Sequence, residues 1–264
     1  MTSRSRPSAS GAVSWRTELP SAFDTDTFQR LFPPGIERDF WHTARCAMVE
    51  SALRRHGLAG GRVLDIGCGR GIMVAHLRQA GIDARGCEPS PQAPIPPDLF
   101  PWIARRTALE ELPRAEREQV RAALLLDVLE HLEHPEELLL DVADLLPALE
   151  GLIVTVPARM ELWTRYDALI GHWRRYDLAS LRAHLLAGGF EPLEAGYMFH
   201  GLYPALRALT ALGRSRSERF QAPRGAAWLT FHAVVGAAFR LEHRLLPAGV
   251  PGSSLLAVAR PARS

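Results

Sequence analysis

An α/β fold with a doubly wound, mostly parallel sheet of seven strands is predicted by three observations. Short apolar runs alternate with helical stretches from residue 60 onward. Those runs are continuously apolar, as strands covered on both faces must be. The first of them, VLDIGCGRG at 63–71, breaks into glycines where a strand meets the following helix, and ligands of such sheets sit beyond the carboxyl ends of the strands. A chain of 264 residues with 47% apolar content buries enough surface for one such domain with elaborations.

The elements follow in order. Residues 1–22 are rich in Ser, Arg and small residues without apolar periodicity, and are expected to form a flexible N-terminus. Residues 23–58 turn helical: Phe28, Leu31 and Phe32 precede the Pro33-Pro34-Gly35 break, and Ile36, Phe40, Trp41 and Met48 follow at mixed helical spacing, which predicts a helical cap. The core, 59–198, reads as strand 63–66, helix 71–80, strand 83–87, a proline-rich loop 89–97, strand 101–105, helix 113–120, strand 122–127, helix 135–146, strand 151–156, helix 178–187 and strand 190–198. Residues 199–251 form a helical insertion, with Leu202, Leu206 and Leu209, then Trp228, Phe231, Val235, Phe239 and Leu246 at three- and four-residue spacing. The last strand, SSLLAVARP at 253–261, closes the sheet within a final segment of 252–264.

Composition removes several chemistries. There is no lysine, so neither a Schiff-base lysine nor a P-loop lysine exists, and no asparagine. Cys46, Cys68 and Cys87 are odd in number and show no metal-ligand spacing, which predicts reduced thiols and no metal site. No uncharged apolar run of 18 residues is present and the N-terminus lacks the apolar segment of a secretion signal, so a cytoplasmic protein is expected. The net charge of +2 argues against a general nucleic-acid binder. The charge is uneven, however: from Phe199 onward nine arginines face only Glu218 and Glu242.

The glycine turn can be narrowed by elimination. A triphosphate loop needs a lysine at the helix start. The dinucleotide fingerprint needs Gly or Ala at position 72, where Ile72 stands, which disfavours NAD. What remains is Asp65-x-Gly67-x-Gly69-x-Gly71, an acid followed by three residues that let backbone pass close to a ligand without Cβ clashes. Glu88 ends the second strand, where an acid can accept hydrogen bonds from both ribose hydroxyls.

This pattern resembles the signature of class I S-adenosylmethionine-dependent methyltransferases, whose fold is Rossmann-like. The similarity extends through AALLLDVLEHLEHPEELL at 122–139 and GLIVTVP at 151–157, covering about 60–200. It implies S-adenosyl-L-methionine as cofactor, with Asp65 serving the amino-acid tail, Gly67, Cys68, Gly69 and Gly71 lining the turn, Glu88 and Pro89 at the ribose, and Asp127 and Val128 after the fourth strand. Many relatives carry an acid after the third strand that meets the adenine amino group. Here Ala108 stands at that place, leaving backbone near Leu109 or the Glu110 carboxylate to read the base. RDFWHTAR at 38–45, GHWRRYD at 171–177 and PGSSLLAVARP at 251–261 together resemble a bacterial branch that often accompanies envelope-polysaccharide or natural-product genes.

Methyl transfer chiefly needs alignment and exclusion of water, with a base only where the acceptor must lose a proton. Candidate catalytic groups are His131 beside Glu130, and His172 and Tyr176 in GHWRRYD. Candidate acceptor-binding groups are Arg174 and Arg175, suited to a carboxylate or phosphate, together with Trp41, His42 and Tyr197. Each has a structural alternative: His131 ordering a turn, the arginines stapling a segment to the sheet, Trp41 packing the cap onto the core.

The function expected is methylation of a small molecule or a glycan- or lipid-linked intermediate, with O- or N-methylation favoured over C-methylation. The tetrapeptide of adenine methylases and the Pro-Cys pair of cytosine methylases are both absent. If the sixth strand is parallel, the insertion emerges beside the acceptor as a lid, a dimer contact in a monomer-or-homodimer system, or a peripheral membrane contact. The competing expectation is a non-catalytic binding module that docks a partner or membrane through this basic, apolar region.

Overall fold

The computed structural model describes residues 29–214 and 221–262. The predicted flexible N-terminus, Phe28, Arg216, Glu218, Arg219 and Arg263 lie outside the described residues. Seven strands form one sheet: β1 (Arg62–Ile66), β2 (Ala84–Glu88), β3 (Ile103–Arg105), β4 (Val120–Leu126), β5 (Gly151–Pro157), β6 (Phe190–Met198) and β7 (Ser254–Pro261). Their order is β3-β2-β1-β4-β5-β7-β6. The five left-hand strands pair in parallel, while β7 runs antiparallel between β5 and β6. β6 is therefore parallel to β1–β5, and its carboxyl end opens on the same edge as theirs.

Strand alternation divides the core in two. Along β4, Ala123 and Leu125 face one cluster with Leu138, Leu139, Val142, Leu181 and Leu185. Leu124 and Leu126 face the other with Val49, Leu53, Met73 and Leu77. The first side is covered by α4 (Pro135–Leu145) and α6 (Leu178–Ala187), the second by α1 (Phe40–Arg55) and α2 (Ile72–Gln79). Between them in sequence lie α3 (Arg114–Arg117) and α5 (Arg165–Leu169). The insertion supplies α7 (Leu202–Ala211) and α8 (Ala226–Leu245), and α8 lies against α1.

That contact depends on Gly236 having no side chain, since a Cβ there would stand 2.9 Å from Thr43 Oγ1 and 3.3 Å from the Phe40 carbonyl oxygen. α1 begins at Asp39, whose carboxylate accepts from the His42 backbone N–H at 2.7 Å, one of the orphan donors of a helix start.

Three expected elements differ. The helix predicted at 113–120 is a single turn, because Val120 already pairs with Arg62 in the sheet and ends it. The strand predicted at 101–105 is only Ile103–Arg105, since pairing to β2 starts at Gly86↔Ile103. The segment after β5, read without regular structure, holds α5, whose start is closed by Thr164 N–H donating to Asp167 Oδ2 at 2.9 Å.

Candidate functional site

A cavity of about 560 Å³ opens over the carboxyl ends of β1, β2, β4 and β5. On its floor the turn after β1 carries Gly67, Gly69 and Gly71 at φ 71°, 55° and 77°, a left-handed run that side-chain-bearing residues rarely adopt. A Cβ on Gly71 would also lie 2.3 Å from Ile103 Cδ1. Around Gly69 that position is open, so the turn leaves room there. Gly67 and Cys68 N–H both donate to the Cys87 carbonyl, at 2.9 and 3.2 Å, which fixes the turn to β2.

Asp65 is 3% exposed, and its Oδ1 is buried with no hydrogen-bond partner. Burial pushes its carboxyl up to about 7; the Arg45 guanidinium opposes this, and the negative charges of Glu88 and Asp127 add to it. An unpaired buried acceptor of this kind suits a cationic ligand group. Glu88 accepts from Gly69 N–H at 2.7 Å and Ser90 N–H at 2.8 Å, one on each oxygen, and keeps lone pairs toward the cavity it lines. Burial raises its pKa, partly offset by those two N–H groups.

Arg45 of α1 reaches the same floor. It pairs with Asp127 Oδ2, and its guanidinium lies 4.5 Å from the centre of the Trp41 ring. Asp127 itself sits at φ 59° just past β4, held by its N–H donating to the Thr155 carbonyl at 2.8 Å. Cys68, Pro89 and Val128 line the cavity. Leu109 does not: it is buried in the core, and the neighbouring Ala108 N–H is taken by the Glu111 carboxylate at 2.7 Å.

At the far end stands a polar cluster. His172 lines the cavity, and its Nδ1 lies 3.1 Å from Asp167 Oδ1. Asp167 is fully buried and also accepts from Arg175 Nε at 2.8 Å. Burial alone would raise the Asp167 carboxyl; its bond to His172 and the Arg175 charge outweigh this and hold it well below the usual range. An ionised Asp167 accepts a hydrogen bond from His172 Nδ1–H, which leaves the ring's lone pair on Nε2. Burial lowers the His172 pKa against the pull of Asp167, and burial with His172 as neighbour lowers His131 to about 3. The two rings meet edge to face at 4.7 Å.

Glu130 lies 3.8 Å from His172 Nε2, and burial pushes its carboxyl well above the ordinary range, with Asp127 adding to it. Ligand-type atoms of Glu130, His131 and His172 fall within 4.8 Å of one another. With no cation present, burial favours the neutral form of the Glu130 carboxyl.

Other predicted residues are placed elsewhere. Tyr176 is 1% exposed, with its hydroxyl donating to the Leu129 carbonyl at 3.3 Å and its ionisation disfavoured by burial, so it staples the segment instead of facing the cavity. Arg174 donates to the carbonyls of Leu132 and Glu133, at 3.1 and 2.6 Å. Arg175, on the cavity wall, is engaged with Asp167 and the Ala158 carbonyl. Tyr197 is buried on β6 with Arg159 5.2 Å from its ring centre, off the cavity wall. Trp41 and His42 do line the cavity, His42 Nδ1 being 2.9 Å from Asp39 Oδ1.

Sequence reasoning missed Arg45 and Asp167. The first had a signal in its place four residues after Trp41, on the same helix face. The second had one in Thr164-x-x-Asp167, a helix-start pattern. It also missed Leu202, Leu206 and Leu209 of α7 as cavity lining, with Tyr166 and Ile170 of the α5 segment completing an apolar chamber.

Residues 40–195, more than half of the chain, match the family described as a methyltransferase domain. A ubiquinone biosynthesis O-methyltransferase of Hahella chejuensis (strain KCTC 2396) is 33% identical over 88 residues, 31% of this chain and 37% of that relative. The match thus spans little more than a third of the relative's length. Among solved structures, magnesium protoporphyrin IX methyltransferase of Synechocystis PCC 6803 with bound S-adenosylhomocysteine superposes with a TM-score of 0.53 at 18% identity, covering 89% of this chain and 93% of that one. A Thermotoga maritima S-adenosylmethionine-dependent methyltransferase, described as a possible histamine N-methyltransferase, gives 0.51 at 18% identity, covering 91% and 100%. At these identities the structural likeness speaks for the fold.

Proposed function

The chain belongs to the class I S-adenosylmethionine-dependent methyltransferase family, and on that footing we propose that it methylates a hydroxyl or amine of a small or lipid- or glycan-linked acceptor. The orphaned Asp65 Oδ1 beside the glycine turn carries the donor half of this reading, because it offers a buried carboxylate to an ammonium group. Asp65 holds the amino-acid tail, Arg45 its carboxylate side, and Glu88 the ribose hydroxyls. S-adenosylmethionine, when bound, supplies an electrophilic methyl on a sulfonium leaving group.

The acceptor half rests on His172. Neutral at pH 7 and carrying its lone pair on Nε2, it accepts the acceptor proton while Asp167 stabilises the imidazolium that results. His131 stays neutral beside it. The α7 leucines with Tyr166 and Ile170 exclude water and favour an acceptor with an apolar part. O-methylation, the activity named for the Hahella relative, and N-methylation both need such a proton acceptor more than C-methylation of an activated carbon does. The non-catalytic module has less support, since the cavity keeps a donor floor and a held histidine together.

Incubation with methyl-tritiated S-adenosylmethionine and the organic and aqueous fractions of a cell extract tests this. Label entering an extractable product, lost in His172→Ala, is expected. No transfer into any fraction, or transfer unchanged in that variant, would remove the acceptor half.

A further inference from the structure

The insertion leaves one helix face uncovered. α8 is twenty residues long, yet only Gly236 and Phe239 are buried, both toward α1 and β6. Phe231, Val234, Leu241 and Leu245 follow at spacings that place them on one stripe, and they are 52%, 63%, 56% and 71% exposed. Trp228, 59% exposed, extends the stripe toward the helix start with its ring 5.5 Å from that of Phe231.

The charges beside the stripe have one sign. Arg240 and Arg244 are exposed on α8, and Arg224 is exposed just before it. Glu242, the one acid of the helix, is turned to the Gly201 backbone N–H at 3.0 Å. No helix among the described residues is long and apolar enough to cross a membrane. An apolar stripe flanked by arginines suits a position in the plane of a bilayer interface, with guanidinium groups at phosphates and aromatic rings at the headgroup level.

We propose that α8 docks this protein on an anionic lipid surface through Trp228, Phe231, Val234, Leu241 and Leu245, with Arg240 and Arg244 on the headgroups. A second copy fits less well, because two such faces would bring like-charged arginine rows together. The same insertion carries Leu202, Leu206 and Leu209 on the cavity wall, so docking through α8 would hold the apolar side of the cavity near the bilayer for an acceptor with an apolar tail. That delivery rests on the methyltransferase reading; the docking does not.

Co-sedimentation of the full chain with vesicles of phosphatidylcholine alone, and with about a third phosphatidylglycerol, tests the docking. Binding at least about tenfold stronger to the anionic vesicles is expected, weakening as salt rises through the range where the Debye length shortens. Leu241→Ser with Leu245→Ser, and separately Arg240→Ser with Arg244→Ser, should each abolish it while leaving the melting temperature and S-adenosylhomocysteine affinity unchanged. Absence of vesicle binding by the wild type, equal binding to both vesicle types, or anionic binding that survives both variant pairs would overturn the proposal. So would a dimer in sedimentation velocity that Leu241→Ser dissociates while vesicles bind neither protein. Cofactor affinity read on the same samples separates failure of the docking from failure of the methyltransferase reading.

Discussion

Arg45 of α1 and Asp127 at the end of β4, 82 residues apart in the chain, form an ion pair on the cavity floor with only 11% and 27% of their side chains exposed. The pair ties the N-terminal helix to the sheet edge and places a guanidinium beside Asp65, whose carboxyl it partly holds down. Helix, sheet and cavity floor are thus joined at one contact.

Removing that guanidinium leaves Asp127 without its partner. Arg45→Ala is expected to destabilise the protein by about 1–3 kcal/mol and to weaken S-adenosylhomocysteine binding about tenfold or more. Denaturant melts and calorimetric titration read the two effects. A variant that melts and binds as the wild type does would show the pair to be incidental.

Asp65 makes ligand affinity and stability depend on pH in opposite senses. Its folded-state value of about 7 lies above the ordinary 3.8, so the ligand-free protein binds a proton that the unfolded chain has already released. The stability this contributes is fully present below about pH 4 and is lost as pH rises through 7. An ammonium-bearing ligand selects the ionised form, so its affinity should rise by up to about tenfold per pH unit toward pH 7 and then level. Titrations from pH 5.5 to about 7.5 check this, and Asp65→Asn should flatten the profile.

Asp167 has two dependants, His172 and Arg175. Asp167→Asn should cost about 3–5 kcal/mol of stability, because it strands the buried Arg175 charge. His172→Gln should melt near the wild type and keep cofactor affinity, yet lower methyl transfer by roughly 100-fold or more, the range of a lost general base. A His172 variant with full activity would reassign the histidine to packing.

Glu130, His131 and His172 come close enough to suggest a cation site. If the cluster only holds and moves protons, treatment with EDTA should leave melting temperature, cofactor affinity and methyl transfer unchanged. Loss of any of these, restored by a divalent metal, would assign the cluster to metal binding instead.

What was legible in the sequence is what the chain encodes locally. The apolar run of β1, its Asp65, the three glycines and the matching Glu88 at the end of β2 all lie in order within two βα units, so their spacing, together with the resemblance, singled out the turn that floors the cavity. The seven strands were readable because buried parallel strands are continuous apolar runs. The polar cluster at the far end of the cavity was readable only as a segment. Arg174 and Arg175 are neighbours in sequence, yet one turns to the carbonyls of Leu132 and Glu133 and the other to Asp167. No periodicity in GHWRRYD distinguishes them. Arg45 reaches Asp127 only because α1 packs across the sheet, and Tyr176 turns inward to Leu129 for the same kind of long-range reason. In α8 the spacing of apolar residues was visible, but the packing of Gly236 on α1 decides which of them are buried and which face outward.

The most direct test of the central claim is calorimetric titration of the wild type, Glu88→Ala and Asp65→Asn with S-adenosylhomocysteine at pH 7.5. One-to-one binding is expected, weakened in each variant by about 1–3 kcal/mol, the range for a charged hydrogen-bonding partner removed from a buried site. No binding heat from the wild type at millimolar ligand, or equal affinity in all three proteins, would contradict the assignment of this cavity to S-adenosylmethionine.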